Sequence, residues 1–91
     1  MNSEPVRIPI EGVLDLHTFD PKDIKTLIPE YLFLCREKGI SEVKIIHGKG
    51  TGSLKNLVIR QIEKIDYVLS FKDAEINDGG WGATIVFLKL Q

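Results

Sequence analysis

Two short apolar runs, Gly12-Val13-Leu14-Asp15-Leu16-His17 and Val43-Lys44-Ile45-Ile46, flank one stretch whose apolar residues recur at helical spacing. No other feature of the chain constrains its fold as much. Strands joined through a helix run parallel with a right-handed crossover, so both strands must end at the same edge of a sheet. The helix between them is expected to open on Asp20-Pro21, an N-cap followed by proline at the first helical position, where its missing N–H costs nothing. Its stripe is Ile24, Leu27, Ile28, Tyr31, Leu32 and Cys35, and Gly39 after Lys38 is its natural stop. Pro29 removes one backbone hydrogen bond inside it. Because the stripe keeps its phase across Pro29, a bend is expected there rather than a break into two helices.

The second strand runs into a glycine loop, Gly48-Lys49-Gly50-Thr51-Gly52. Ser53 is expected to cap a second helix whose buried face carries Leu54, Leu57, Val58, Gln61 and Ile62. Tyr67 to Phe71 reads as a third strand, Gly79-Gly80-Trp81-Gly82 as a turn, and Ala83 to Leu90 as a fourth strand. That last strand is apolar on both faces, which places it inside the sheet rather than at an edge. The expected order is β-α-β-α-β-β. With only two helices to cover it, the expected architecture is an α/β (α+β) two-layer sandwich, a four-stranded mixed sheet with both helices on one face. Residues 1–10 read as a short lead-in, with Met1 to Pro5 frayed, and 11–91 as a single domain.

A chain of 91 residues lies near the lower end of what folds without staples. One cysteine, Cys35, cannot make an internal disulfide, so packing must hold the fold, and a lone thiol suits a reducing, cytoplasmic setting. No apolar run approaches the ~20 residues of a membrane span, and the N-terminus lacks the basic start and apolar core of a signal peptide. Lys plus Arg number 12 against 13 for Asp plus Glu, a formal net charge of −1. General nucleic-acid binders usually carry a basic excess; here any phosphate contact must come from a local patch or from backbone amides.

The chemistry collects at the shared strand edge. His17 closes the first strand and His47 the second, and strand alternation places Asp15 on the face of His17. Three glycines in five residues let the backbone turn tightly against a ligand, and a helix N-terminus beyond them offers free N–H groups and partial positive charge. That is an anion site, at the edge where open α/β sheets hold ligands. An imidazole exchanges protons near neutrality, a carboxylate holds its tautomer or acts as base, and Lys49 and Lys55 can offset charge on phosphoryl oxygens. Asp15, His17 and His47 are thus candidate catalytic residues. Gly48, Lys49, Gly50, Thr51, Gly52, Ser53 and Lys55 are candidate phosphate or nucleic-acid contacts, and Trp81 is a candidate for stacking a base.

Each candidate also has a purely structural reading. Asp15 can serve a strand end, a lone strand-end histidine is more often structural than catalytic, and Trp81 can cap the core. Cys35 lies on the helical stripe and reads as core, and Asp73, Glu75 and Asp78 as a solvated edge. The glycine loop matches neither the nucleotide P-loop spacing nor the dinucleotide fingerprint. His17, His47 and Asp15 would make a facial metal set, the least favoured of these readings, and no metal ligands are assigned.

Taken together, Leu14-Asp15-Leu16-His17, His47-Gly48-Lys49-Gly50-Thr51-Gly52 and Gly79-Gly80-Trp81-Gly82-Ala83-Thr84 resemble the small MutS-related (Smr) domain family in order and spacing. The likeness runs from about Gly12 to Leu90, nearly the whole chain, as in stand-alone members. It implies a fold like the C-terminal domain of a bacterial translation initiation factor, and a nuclease activity that in various members nicks DNA or cuts RNA. Asp15 and His17 fall on the family's Asp-Leu-His motif, implicated in cleavage. His47, Gly48, Gly50 and Gly52 fall on its His-Gly-x-Gly-x-Gly motif, implicated in phosphate binding and activity. Many members follow the first histidine with glycine, whereas Thr18-Phe19 follow His17 here.

The expected function is therefore a nucleic-acid endonuclease, serving DNA repair, recombination or messenger-RNA quality control, with nucleic acid as partner, no membrane, and a repair or ribosome-associated assembly as a further partner. With RNA, a 2′-hydroxyl can attack without a metal. With DNA, water attacks and Mg2+ or Mn2+ becomes the expected cofactor. The alternative is a non-catalytic module that binds nucleic acid or protein, which the near-neutral charge favours. A small-molecule phosphate enzyme is the weakest reading.

Overall fold

A computed structural model describes residues 9–91 of the chain. Most of the expected lead-in lies outside them. The elements follow as β1 (Val13–Asp15), α1 (Pro21–Glu37), β2 (Glu42–Ile46), α2 (Ser53–Ile62), β3 (Val68–Asp73) and β4 (Ala83–Leu88), with short 3-10 turns at Leu16–Thr18, Ile76–Asp78 and Gly80–Gly82. The sheet order is β1-β2-β4-β3. β1 and β2 are parallel, with Asp15 opposite Ile46. β4 is antiparallel to both β2 and β3. The mixed four-stranded sheet, the parallel pair and the interior position of β4 all agree with the sequence reading.

Helix α1 forms for the reasons visible in its sequence. The Asp20 carboxylate accepts the Lys22 N–H at 3.0 Å, and Pro21 takes the first helical position. Ile24, Ile28, Tyr31, Leu32 and Cys35 are buried, each large aliphatic contributing about 1.5–3 kcal/mol by leaving water. At the other end the Gly39 N–H bonds the Arg36 carbonyl at 3.1 Å and the Ile40 N–H bonds the Cys35 carbonyl at 2.9 Å, a Schellman stop with Gly39 at φ +78°. The helix runs unbroken through Pro29, so the two-helix alternative does not occur.

One core joins α1 and α2 to one face of the sheet: Leu14 from β1, Val43 and Ile45 from β2, Val86 and Leu88 from β4, and Val58 and Ile62 from α2. Leu54 and Leu57 pack partly against it. Tyr31 ties helix to sheet: its hydroxyl donates to the Val13 carbonyl at 2.9 Å and accepts the Gly12 N–H at 3.2 Å. Burial raises the Cys35 thiol above its ordinary range, as suits a core residue. On the uncovered face a smaller cluster of Ala74, Ala83 and Ile85 forms, with Ile46 and Phe87 against it. Among the described residues no helix is long and apolar enough to cross a membrane.

Several boundaries differ from expectation. β1 ends at Asp15 and not at His17, because the Asp15 carboxylate accepts the His17 N–H at 3.0 Å and turns the chain into the Leu16–Thr18 3-10 turn. Short acidic side chains compete with a strand ladder in this way. Ser53 does not cap α2. Gly52, at φ +87°, is the N-cap and Ser53 the first helical residue. β3 runs from Val68 to Asp73, with a register shift between Val68 and Ser70, and β4 stops at Leu88, past which the Lys89 N–H bonds the Tyr67 carbonyl at 2.8 Å.

Candidate functional site

The edge where β1 and β2 end carries two separate groups of candidate residues. The first is the Asp15–His17 pair. Opposite Ile46 in the parallel register, Asp15 shares its face of the sheet, the one the helices leave uncovered. The Asp15 carboxylate lies 3.4 Å from His17 Nδ1, and the two side chains are 55% and 73% exposed. The same carboxylate oxygen accepts the His17 backbone N–H. Expected proximity is found, but a turn creates it, not strand alternation. A cavity of about 330 Å³ opens beside the pair, lined by Pro9, Glu11, Val13, Leu14, Asp15 and Phe19.

The second group is His47 with the glycine loop, on the helix side of the sheet. His47 is 8% exposed. Its Nε2 lies 2.8 Å from the Thr84 hydroxyl and its Nδ1 3.0 Å from the Gly48 carbonyl oxygen. Burial above all, and the Lys55 ammonium besides, lower its pKa from the ordinary histidine value, partly opposed by the Gly48 carbonyl and by Asp73. Neutral and bonded at both nitrogens, this ring differs sharply from the open imidazole of His17. Sequence reasoning brought His17, His47 and Asp15 together; the fold puts them at one edge but gives them different faces and partners. Among the described residues no three His, Cys, Asp or Glu side chains come together as a metal-holding group, so the Asp15, His17 and His47 facial set does not form.

Glycine conformation shapes the loop. Gly48 and Gly52 stand at φ +82° and +87°, each with open space where a Cβ would sit, so left-handed backbone, not crowding, requires glycine there. The Gly82 carbonyl accepts both the His47 N–H (3.0 Å) and the Gly48 N–H (2.8 Å). A Cβ on Gly82 would lie 3.1 Å from Lys49 Cγ and 3.4 Å from the Gly48 carbonyl carbon, so here close approach is what matters. Thr51 Oγ1 accepts the Ser53 N–H at 3.3 Å and donates to Ser53 Oγ at 3.0 Å. Thr51 and Ser53 therefore sit together where α2 begins, and no side chain caps Gly52.

The cations are divided. Lys49 is exposed on the loop. Lys55, expected to face phosphate, points to Asp73 instead at 2.7 Å and lies 5.0 Å over the Trp81 ring, its side chain only 18% exposed. Trp81, 42% exposed, thus already holds a cation against its ring. Of the acidic residues read as a solvated edge, Asp78 pairs with Lys44 at 2.6 Å and Glu75 with Lys72 at 3.7 Å. Thr84, Gly82 and Asp73 were not among the sequence candidates. Thr84 had left a trace: it is the one polar residue in the apolar run of β4, and a buried hydroxyl needs a partner.

A family model described as the Smr domain matches residues 14–89. Endonuclease MutS2 of Carboxydothermus hydrogenoformans is 37% identical over 76 residues, which make up 84% of this chain and 10% of that protein. Endonuclease MutS2 of Clostridium botulinum is 32% identical over 80 residues, 88% of this chain and again 10% of the relative. The chain thus spans about a tenth of the length of these curated relatives. Among solved structures, the Smr domain of Thermus thermophilus MutS2 matches with a TM-score of 0.80 at 30% identity, covering 87% of this chain and 99% of that one. YdaL, a stand-alone small MutS-related protein from Escherichia coli, matches with a TM-score of 0.73 at 26% identity, covering 86% and 64%.

Proposed function

The chain belongs to the Smr domain family, and from that premise we propose that it is a nucleic-acid endonuclease that breaks a phosphodiester bond at the Asp15–His17 edge. The observation that carries the reading is the exposed imidazole of His17 beside a carboxylate that its own backbone N–H holds in place. In the reaction, His17 takes the proton of the attacking oxygen as that oxygen bonds to phosphorus. The opposite P–O bond breaks, and its oxygen leaves with the bonding electron pair and takes a proton from water. Asp15 orients the ring. The N-terminus of α2 and the amides of the Gly48–Gly52 loop bind phosphate oxygens, with Lys49 as the nearby open cation. The MutS2 relatives' naming as endonucleases supports this, as does the lone buried thiol of Cys35 for a reducing cytoplasmic setting.

The test is cleavage of supercoiled plasmid and of a structured RNA by purified protein, with and without Mg2+ or Mn2+. His17→Ala is expected to lose cleavage by at least about a hundredfold while its circular dichroism and melting stay near wild type, since the side chain is exposed. Equal cleavage by wild type and His17→Ala would refute the assignment. Saturable binding without any cleavage would turn the reading to a non-catalytic module for nucleic acid or protein; the net charge of −1 favours a non-catalytic role over a nuclease without favouring nucleic acid as the partner.

A further inference from the structure

Thr84 is 1% exposed and pairs across the sheet with Ile45, so its hydroxyl lies on the helix-covered face under the end of β2. There it meets His47 Nε2 at 2.8 Å. The other ring nitrogen lies 3.0 Å from the Gly48 carbonyl oxygen. A carbonyl can only accept, so Nδ1 must carry the proton. Nε2 of a neutral ring is then a bare acceptor, and the Thr84 hydroxyl must donate to it. Each bond thereby fixes the direction of the other. From the other side, the Gly82 carbonyl holds the N–H groups of His47 and Gly48, so the peptides entering the glycine loop are gripped at both their donors and their acceptor. The loop's own glycines supply no side chain to do this. Gly48, Gly50 and Gly52 all stand at positive φ with open space around them, a backbone with several accessible shapes unless something selects one.

We propose that Thr84 is a positioning residue, holding His47 in its Nδ1–H tautomer so that His47 serves as a strut fixing the Gly48 peptide and the loop amides beyond it. The inference rests on the phosphodiester reading above and refines it. His17 is the proton carrier, and His47 acts through the loop without meeting the reacting atoms. A hydroxyl from β4, 37 residues further along the chain, is thereby part of the phosphate cradle.

The experiment is heteronuclear NMR of the full chain labelled with nitrogen-15, reading the His47 imidazole nitrogens and the amides of Gly48, Gly50 and Gly52, beside cleavage kinetics. Wild type is expected to show a protonated Nδ1 and a bare Nε2. Thr84→Val, which keeps the shape and deletes the hydroxyl, is expected to mix the tautomers, shift the three glycine amides and lower cleavage about three- to tenfold. Thr84→Ser is expected to restore all three. A proton on Nε2 in wild type overturns the proposal. So does a Thr84→Val spectrum unchanged at His47 and the glycines. If Thr84→Val does not fold, the decision rests on wild type and Thr84→Ser, which must share the Nδ1–H tautomer. Tautomer and amide responses as expected, with no cleavage by wild type, would refute the phosphodiester reading and leave the positioning role supported.

Discussion

A neutral imidazole sealed inside the fold makes stability depend on acid, and His47 supplies such a case. In the unfolded chain it takes a proton near pH ~6.5. In the folded chain burial lowers that value, so between the two the unfolded state binds more protons. Stability is therefore complete above about pH 6.5 and declines as pH falls below it. Urea midpoints at pH 7.5, 6.5 and 5.5 are expected to drop with acid in wild type, and to drop less in His47→Gln, whose starting stability is lower. Parallel declines in the two proteins would place the acid sensitivity elsewhere. The lysines make a second contrast. Lys49 is exposed, with its stem beside Gly82, whereas Lys55 is held by Asp73 and Trp81. Lys49→Ala is accordingly expected to weaken nucleic-acid binding more than Lys55→Ala, while Lys55→Ala lowers the melting temperature more; a filter-binding assay and a melt separate the two effects.

Helix α1 was legible in the sequence because its cap, stripe and stop are local: Asp20 and Pro21, the apolar residues from Ile24 to Cys35, and Gly39. Asp20→Ala is expected to cost about 1 kcal/mol of unfolding free energy, read by urea denaturation, since only the Lys22 N–H is orphaned. The last strand's interior place was also legible, from its two apolar faces. What the pattern hid were competitions settled by geometry. The run from Gly12 to His17 alternates like a strand, yet the Asp15 carboxylate finds the His17 N–H first. Ser53 has the chemistry of a cap, yet the left-handed turn at Gly52 moves it one place into the helix. At the candidate site, types and edge were readable, while the partners of His47 and Lys55 were not, because Thr84 and Asp73 reach them only after β4 and β3 have paired. Gly82→Ala tests that tertiary contact: the new methyl presses on Lys49 and on the Gly48 carbonyl carbon. It should shift the Gly48–Gly52 amides in an NMR spectrum and cut cleavage, with a smaller change in melting.

Across the whole molecule, charge is balanced by pairing as well as by number. Lys44, Lys55 and Lys72, three of the twelve lysines and arginines, each answer a carboxylate from the segment Asp73–Asp78, so these three are already engaged and Lys49 is the open cation of the glycine loop. The logarithm of the binding constant is expected to fall with that of salt concentration with a slope of magnitude about 2 or less; a much steeper slope, measured by fluorescence anisotropy, would mean that these pairs open on binding or that cations beyond the glycine loop take part. The sheet order β1-β2-β4-β3 carries a further consequence, in time. β4 lies between β2 and β3, yet it is the last of the four to leave the ribosome. Until Ala83–Leu88 arrives, β3 has no neighbour and β2 only the three-residue β1, so a growing chain holds its earlier strands unpaired and waits. Folding is then one late event closed by distant contacts, slow for a chain of this size, and the same insertion that completes the sheet delivers Thr84 to His47.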